Sequence, residues 1–237
     1  MMGLLLPALL VIAAAVFLAR RGFPPDGLAF AANPAPIDDD QVNQLPTFLE
    51  EVSVTVDPTT YIPAAVSPDL ADANERAFLD MIAYAEGTNR GPDGYRAMFG
   101  YPATDRIAPN LDDHPRRAFQ FEDSAGRVLW TTAAGRYQFM AISPIPGGKT
   151  TKTDTWDTLQ RSLGLRDFGP ASQDAAALEL VRQRGALNDV RAGRLQVAIA
   201  KCAKTWASLP GAGYSQPERK LPQLVAAYQQ AGGAIEA

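Results

Sequence analysis

Apolar and polar positions divide the chain into three stretches. Gly3 to Ala19 is an unbroken run of apolar or small residues, GLLLPALLVIAAAVFLA, closed by Arg20 and Arg21. Crossing a ~30 Å hydrocarbon core takes roughly 17 to 25 residues, so the run predicts a membrane helix over residues 1–21, in contact with the membrane through residues 3–19. A cleaved signal peptide is the rival reading, because Ala29-Phe30-Ala31 resembles an A-x-A processing site. Basic residues normally precede the apolar stretch of a signal peptide; here they follow it. The next stretch has Pro24, Pro25, Pro34, Pro36, Pro46, Pro58, Pro63 and Pro68, with the acidic run Asp38-Asp39-Asp40. Prolines so spaced block helix continuation and favour extended conformations. Residues 22–71 therefore read as a Pro-rich acidic linker, in which Val52, Val54 and Val56 alternate like one marginal strand.

From Asp72 the pattern becomes regular, and residues 72–237 read as one domain. Asn74 is placed to cap a helix running from Glu75 to Glu86, with Gly87 as its stop. Phe119 and Phe121, then Asp123-Ser124-Ala125-Gly126, then Val128 and Trp130 alternate around a turn, predicting a small β-hairpin. Further helices are predicted near 155–163, 173–184, 194–207 and 222–230, with Gly164, Gly185 and Gly232 at C-caps and Pro222 at a first helical position. Many helices and one hairpin make an α+β fold that is mainly helical.

Composition narrows the chemistry. Residues 1–71 carry two Arg against eight acids, whereas residues 72–237 carry 20 basic and 18 acidic residues, so the overall −4 belongs to the leader. A balance of +2 suits an anionic polymer such as the cell wall but is far from a nucleic-acid footprint, which excludes that partner. Cys202 and His114 are the only residues of their types, so no intrachain disulfide, zinc site or multi-histidine metal centre is expected. Cys202 fits a small core residue.

One carboxylate stands out. At ~100° per residue, Glu86 projects between Ile82 and Leu79, inside the apolar sector of the first helix. Glu75 projects there too, but from the first turn, where a negative charge suits the helix dipole. At the far end the dipole disfavours an anion and burial penalises the charged form further. Both effects raise the pKa, as a general acid near neutral pH requires. A frayed, solvated last-turn Glu is the alternative. Asp93, Asp105, Asp112, Asp113 and Glu122 are the candidates for a second carboxyl group. Glycosidases ordinarily use two, about 5 Å apart for retention and roughly 6.5 to 9.5 Å for inversion; spacing along the chain identifies no partner.

Several segments carry a family resemblance: Ala77-Phe78-Leu79-Asp80-Met81, Glu86-Gly87-Thr88, Asp113-His114-Pro115-Arg116, Ala134-Gly135-Arg136-Tyr137-Gln138, Leu163-Gly164-Leu165, Ser172-Gln173-Asp174-Ala175, Arg184-Gly185-Ala186-Leu187 and Trp206-Ala207-Ser208-Leu209-Pro210-Gly211-Ala212-Gly213-Tyr214. In this order they resemble the endolysins related to the phage lambda lysozyme, lytic transglycosylases with a lysozyme-like fold, over approximately Glu75 to Glu236. The resemblance implies that Glu86 is the catalytic acid/base. It also implies that the substrate is peptidoglycan, cut between N-acetylmuramic acid and N-acetylglucosamine to leave a 1,6-anhydro end, without a cofactor. Gly135-Arg136-Tyr137-Gln138 resembles the G-x-x-Q element of lysozyme-like transglycosylases, which implies that Gln138 and Tyr137 lie in the cleft, a core aromatic being the alternative for Tyr137. Tyr214, in its glycine-rich loop, is a candidate sugar-binding ring, with packing as the alternative. Trp206 ends a stripe with Leu195, Ile199 and Cys202 and reads as core; His114 reads as structural.

Two features depart from that pattern: extra loop residues around Ser143 to Thr153, and the leader with its linker. A hydrolytic lysozyme of the same fold and a non-catalytic wall-binding virion protein are the alternative functions. Other phage virion or lysis proteins are possible partners. Location is expected to be a membrane anchor with the catalytic domain facing the periplasm and wall, or a phage particle. Arg20 and Arg21 oppose the first, because the positive-inside rule holds them in the cytoplasm.

Overall fold

The structure, a computed structural model, describes residues 68–89, 92–123, 126–214 and 216–236. The expected membrane helix over residues 1–21 and the linker up to residue 67 lie outside the described residues. Among those described, no helix is long and apolar enough to cross a membrane.

The central element is helix α1, Pro68–Glu86. It begins inside the stretch read as linker, with a proline at its first position, where the missing N–H is lost to no bond. Asn74 is therefore no cap. It is buried within the helix, where its amide donates to Arg191 O at 3.0 Å and accepts from Ala234 N at 2.8 Å. Ala77, Phe78, Met81, Ile82 and Ala85 form the buried face of α1. That face packs against α6 (Leu221–Gln230), α4 (Leu187–Arg191) and α3 (Pro170–Gln183). Helix α2 (Thr155–Leu163) packs on α3, and α5 (Leu195–Cys202) on α4.

The expected helix ends hold where glycine decides them: Gly87, Gly164, Gly185 and Gly232 all have positive φ. Pro222 lies in the first turn of α6, one position later than predicted. Helix α5 stops at Cys202 and continues as turns up to Ala207, shorter than the 194–207 expected. The short helix α4 and two 3-10 turns, Pro92–Arg96 and Thr104–Arg106, had no periodic signal.

Strands β1 (Phe119–Glu122) and β2 (Val128–Thr131) form the predicted antiparallel hairpin, with one correction to its faces. Phe119 pairs with Thr131 and Phe121 with Leu129, so these residues share the inward face. Val128, 57% exposed, and Trp130 lie on the other side. Five residues separate Glu122 from Val128, and this spacing changes the phase between the strands, which alternation within each strand does not reveal. The segment read as an extra loop contains a second hairpin, β3 (Pro144–Ile145) with β4 (Lys149–Thr150), whose tip Gly147-Gly148 has φ of 83° and 69°. Glycine adopts such angles without steric cost.

Between the first hairpin and α2, the chain from Ala134 to Phe139 folds back on itself, with Phe139 N donating to Ala134 O at 2.8 Å and Ala134 N to Phe139 O at 3.0 Å. Phe139, Trp156, Phe168 and His114 pack beneath it, Trp156 and Phe168 edge to face at 4.6 Å. Gly135 has φ 77°, and a Cβ there would lie 2.3 Å from Gln173 Oε1 and 2.8 Å from the Phe168 ring. Gly135→Ala should therefore destabilise the protein by about 2–4 kcal/mol through strain and overpacking together, measured by urea unfolding. A loss below ~1 kcal/mol would show that the turn relaxes freely.

Candidate active site

Glu86 is the last residue of α1, and Gly87, at φ 72°, turns the chain away. Thr88 N donates to Ala83 O at 2.9 Å and Gly87 N to Tyr84 O at 3.0 Å, the paired bonds of a Schellman ending. This ending stops the helix with the carboxyl group still on its buried side. Glu86 is 5% exposed. Ser208 Oγ donates to Glu86 Oε1 at 2.6 Å. Oε2 is buried and has no hydrogen-bond partner in the protein.

Burial lifts the Glu86 carboxyl from the usual 4.5 to about 7, against the Ser208 hydrogen bond and then the Arg219 charge, both of which pull it down. The solvated last-turn alternative does not hold. With Oε1 accepting from Ser208, the proton of the acid form belongs on Oε2. That is the geometry of a proton donor whose working oxygen is free.

Three segments meet around this carboxyl. Thr88 Oγ1 donates to Arg136 O, which joins the Glu86-Gly87-Thr88 ending to the Gly135–Gln138 turn. Arg219 N donates to Ser208 O at 2.8 Å and Arg219 Nε to Ala85 O at 3.2 Å, which joins the loop after α5 to the end of α1. Gln138 sits in the turn at φ 51°, an unfavourable backbone for a non-glycine residue, fully buried. Its Nε2 donates to Gly135 O at 2.9 Å, and its Oε1 is buried without a partner. The turn thus holds a second unengaged acceptor close along the chain to the residue that Thr88 binds.

Tyr137 is different. Its ring is 1% exposed and packs edge on against Phe139, and its hydroxyl donates to Asp174 Oδ1 at 2.6 Å. Burial and the Asp174 carboxylate push its phenol well above the usual range. The expected cleft position is corrected to the core: the turn points the ring inward and Asp174 satisfies its hydroxyl. Tyr214 is partly exposed, with its hydroxyl on Lys204 O at 3.1 Å and Lys204 Nζ 5.7 Å from its ring centre. It stands in the same loop as Ser208, and among the described residues no hydrogen bond or ring contact joins it to Glu86. Trp206 is fully buried and donates from Nε1 to Tyr137 O at 3.2 Å, as its helix stripe implied.

His114 is buried, with Nδ1 accepting from Arg116 N at 3.0 Å, which leaves Nε2 to donate to Phe139 O at 3.0 Å. Burial, chiefly, holds its pKa down to about 4, so it is neutral near pH 7 and structural. Burial pushes the Cys202 thiol up to about 12. Among the described residues no group of His, Cys, Asp and Glu is arranged to hold a metal ion.

Among the described residues no candidate second carboxylate is hydrogen-bonded to Glu86, and the charge that shifts it is that of Arg219. Asp113 binds Arg116, Trp156 and Gln160; Asp105 pairs with Arg106; Asp93, Asp112 and Glu122 are exposed. Ser208 and Arg219 are the site residues that the sequence reading missed. Ser208 lies inside a segment that carried the resemblance, but a hydroxyl between Ala207 and Leu209 has no signature of its own.

The raised pKa has a consequence for stability. Protonation favours the folded state, so the contribution is complete below about 4.5 and is lost as pH rises through about 7. Glu86→Gln should therefore be more stable than the parent at about pH 8.5, by on the order of 2 kcal/mol, with the gap closing near pH 4. Thermal unfolding across that range measures it; a gap independent of pH would refute burial as the cause.

The chain matches the Endolysin family over residues 76–235. It is 38% identical over 165 residues to the endolysin of Escherichia phage lambda, covering 68% of this chain and 92% of that protein. It is 40% identical over 169 residues to the endolysin of Escherichia phage P2, covering 68% and 93%. The fold is similar to the bacteriophage lambda lysozyme complexed with a chitohexasaccharide, at a TM-score of 0.58 and 35% identity, over 74% of this chain and all of that one. A second lambda lysozyme structure matches at a TM-score of 0.54 and 33% identity. The chain belongs to the phage lambda-type endolysin family, with a lysozyme-like fold and a cell-wall-degrading function.

Proposed function

We propose that this endolysin-family chain is a peptidoglycan lytic transglycosylase that cleaves the bond between N-acetylmuramic acid and N-acetylglucosamine and leaves a 1,6-anhydro-muramic end. The observation that carries the reading is the buried carboxyl of Glu86, with one oxygen held by Ser208, the other free, and no carboxylate bonded to it among the described residues. Glu86 Oε2–H protonates the bridging oxygen as its bond to C1 breaks. The resulting carboxylate then takes the proton of the muramic C6 hydroxyl as that oxygen closes on C1. The substrate thereby supplies the nucleophile. A hydrolase would ordinarily use a second carboxyl to act as nucleophile or to activate water.

The chitohexasaccharide bound by the lambda relative supports a glycan strand as ligand. Gln138 Oε1, a buried acceptor without a partner, suits a sugar hydroxyl or N-acetyl N–H, and the Tyr214 ring suits a sugar face. We place the apolar run at residues 3–19 in a membrane, tethering the enzyme beside the wall, or in a phage particle that carries it there.

Digested peptidoglycan analysed by mass spectrometry should show anhydro ends; reducing muramic ends would establish a hydrolytic lysozyme instead. Glu86→Gln should lower the rate at least ~10²-fold, and unchanged lysis at equal folding would remove Glu86 from the chemistry. Fractionation of cells expressing the full chain or a truncation starting near Asp72 tests the tether: only the full chain should sediment with membranes.

A further inference from the structure

Residues 216–220, ahead of α6, have no regular structure, yet they touch both the loop that carries Ser208 and the end of α1. Glu218 accepts from Gly211 N and Gly213 N, both at 2.9 Å, closing the loop that carries Ser208. Arg219, next in the chain, is half-buried and reaches the other way. Its backbone N–H holds Ser208 O, its Nε donates to Ala85 O, and its guanidinium lies 5.3 Å from the Tyr84 ring centre. Ala85 precedes Glu86, and its carbonyl is among the last of α1, which have no partner within the helix.

We propose that Arg219 is a positioning residue for Glu86, clamping the end of α1 to the Ser208 loop and placing a fixed positive charge beside the acid. The role rests on the transglycosylase reading for its catalytic meaning, but the clamp is a property of the structure alone. It fixes the relative position of the two partners in the Ser208–Glu86 hydrogen bond, so that Oε1 stays occupied and Oε2 stays free.

The other charges around the site are committed elsewhere. Asp80 on α1 pairs with Arg136 of the Gly135–Gln138 turn. Lys204 donates to Ala212 O at 2.6 Å, and Glu218 is held by the two glycine amides. Lys220 opens α6, and His114 is neutral beneath Phe139. Arg219 is thus the charge that acts on Glu86, favouring its ionised form. Removing it should keep the acid protonated to higher pH.

The test is the titration of the Glu86 carboxyl, followed by ¹³C NMR of glutamate-labelled full-length protein, with Glu86→Gln identifying the signal. Arg219→Gln should move the midpoint upward by about half a unit to one unit. Arg219→Met should do the same and replaces it if the Gln variant fails to fold by circular dichroism. Arg219→Lys, which keeps a cation, should stay nearer the parent. Cleavage of purified sacculi by the neutral variants should be slower, with the alkaline limb of the pH profile moved upward in parallel. A midpoint unmoved in folded neutral variants, with activity lowered equally at every pH, would overturn the proposal. If the parent cleaves no glycan, the transglycosylase reading fails while the titration still decides the role of Arg219.

Discussion

A carboxyl group buried at the C-terminal end of a helix is the constraint around which this domain is arranged. Both the dipole of α1 and removal from water disfavour the anion at Glu86, and a buried charge with no partner is costly. The structure meets that cost only in part. One oxygen receives a hydroxyl donor from Ser208, one cation stands nearby on Arg219, and the second oxygen has nothing. The result is a group balanced between its two forms near neutral pH. Such a balance holds only while the surroundings keep their shape, which explains why so much of the neighbouring chain is tied down.

Much of that tying is done by buried hydrogen bonds across segments with no regular structure. Gln173 accepts from Arg136 N at 2.8 Å and donates to Tyr95 O and Phe168 O, fastening α3 to the Gly135 turn and to the loops on either side. Asp174, its neighbour, receives the hydroxyls of Tyr95 and Tyr137. Asn74 does similar work at the opposite side, joining α1, α4 and the C-terminal residues. Each such bond contributes only about 1 kcal/mol net, but a buried donor or acceptor left unmade costs about 1–3 kcal/mol. The network therefore specifies one arrangement more than it adds stability. Against this background the acceptors on Glu86 and Gln138 that have no partner stand out, together with Arg136 Nε in the same turn and, elsewhere, Thr155 Oγ1 and Gln216 Oε1.

The sequence made the regular elements legible and concealed the contacts between them. Periodicity and glycine stops located α2, α3, α6 and the end of α1, since those signals are local. Asn74 misled because a polar residue before an apolar run looks like a cap, whereas its partners lie more than a hundred positions away. The same limit hid Ser208 and Arg219. Their importance comes from proximity to Glu86, 122 positions from Ser208, and nothing in their own neighbourhoods records it. Helix projection did identify Glu86, because an acid inside an apolar stripe is an inconsistency that one helix alone displays. Tyr137 shows the reverse error: the motif that places Gln138 in the turn also contains a ring whose alternation sends it into the core.

A serine is a telling choice of partner for that acid. A second carboxylate in its place would raise the carboxyl further and keep it protonated, while a direct bidentate arginine would lower it into permanent ionisation. A neutral hydroxyl with a more distant cation leaves it near 7. Each unit of displacement between pKa and ambient pH costs about 1.4 kcal/mol for whichever form is the minor one. For the proposed role, in which the group first gives a proton and then takes one back, a pKa near the ambient pH is the best compromise between holding the proton and releasing it. The environment of Glu86 is close to that condition, and it reaches it with burial as the upward force and two modest interactions opposing it. On the proposed transglycosylase reading one carboxyl is then sufficient, because the proton is returned within the same substrate, and the protein's task reduces to holding one oxygen and leaving the other bare.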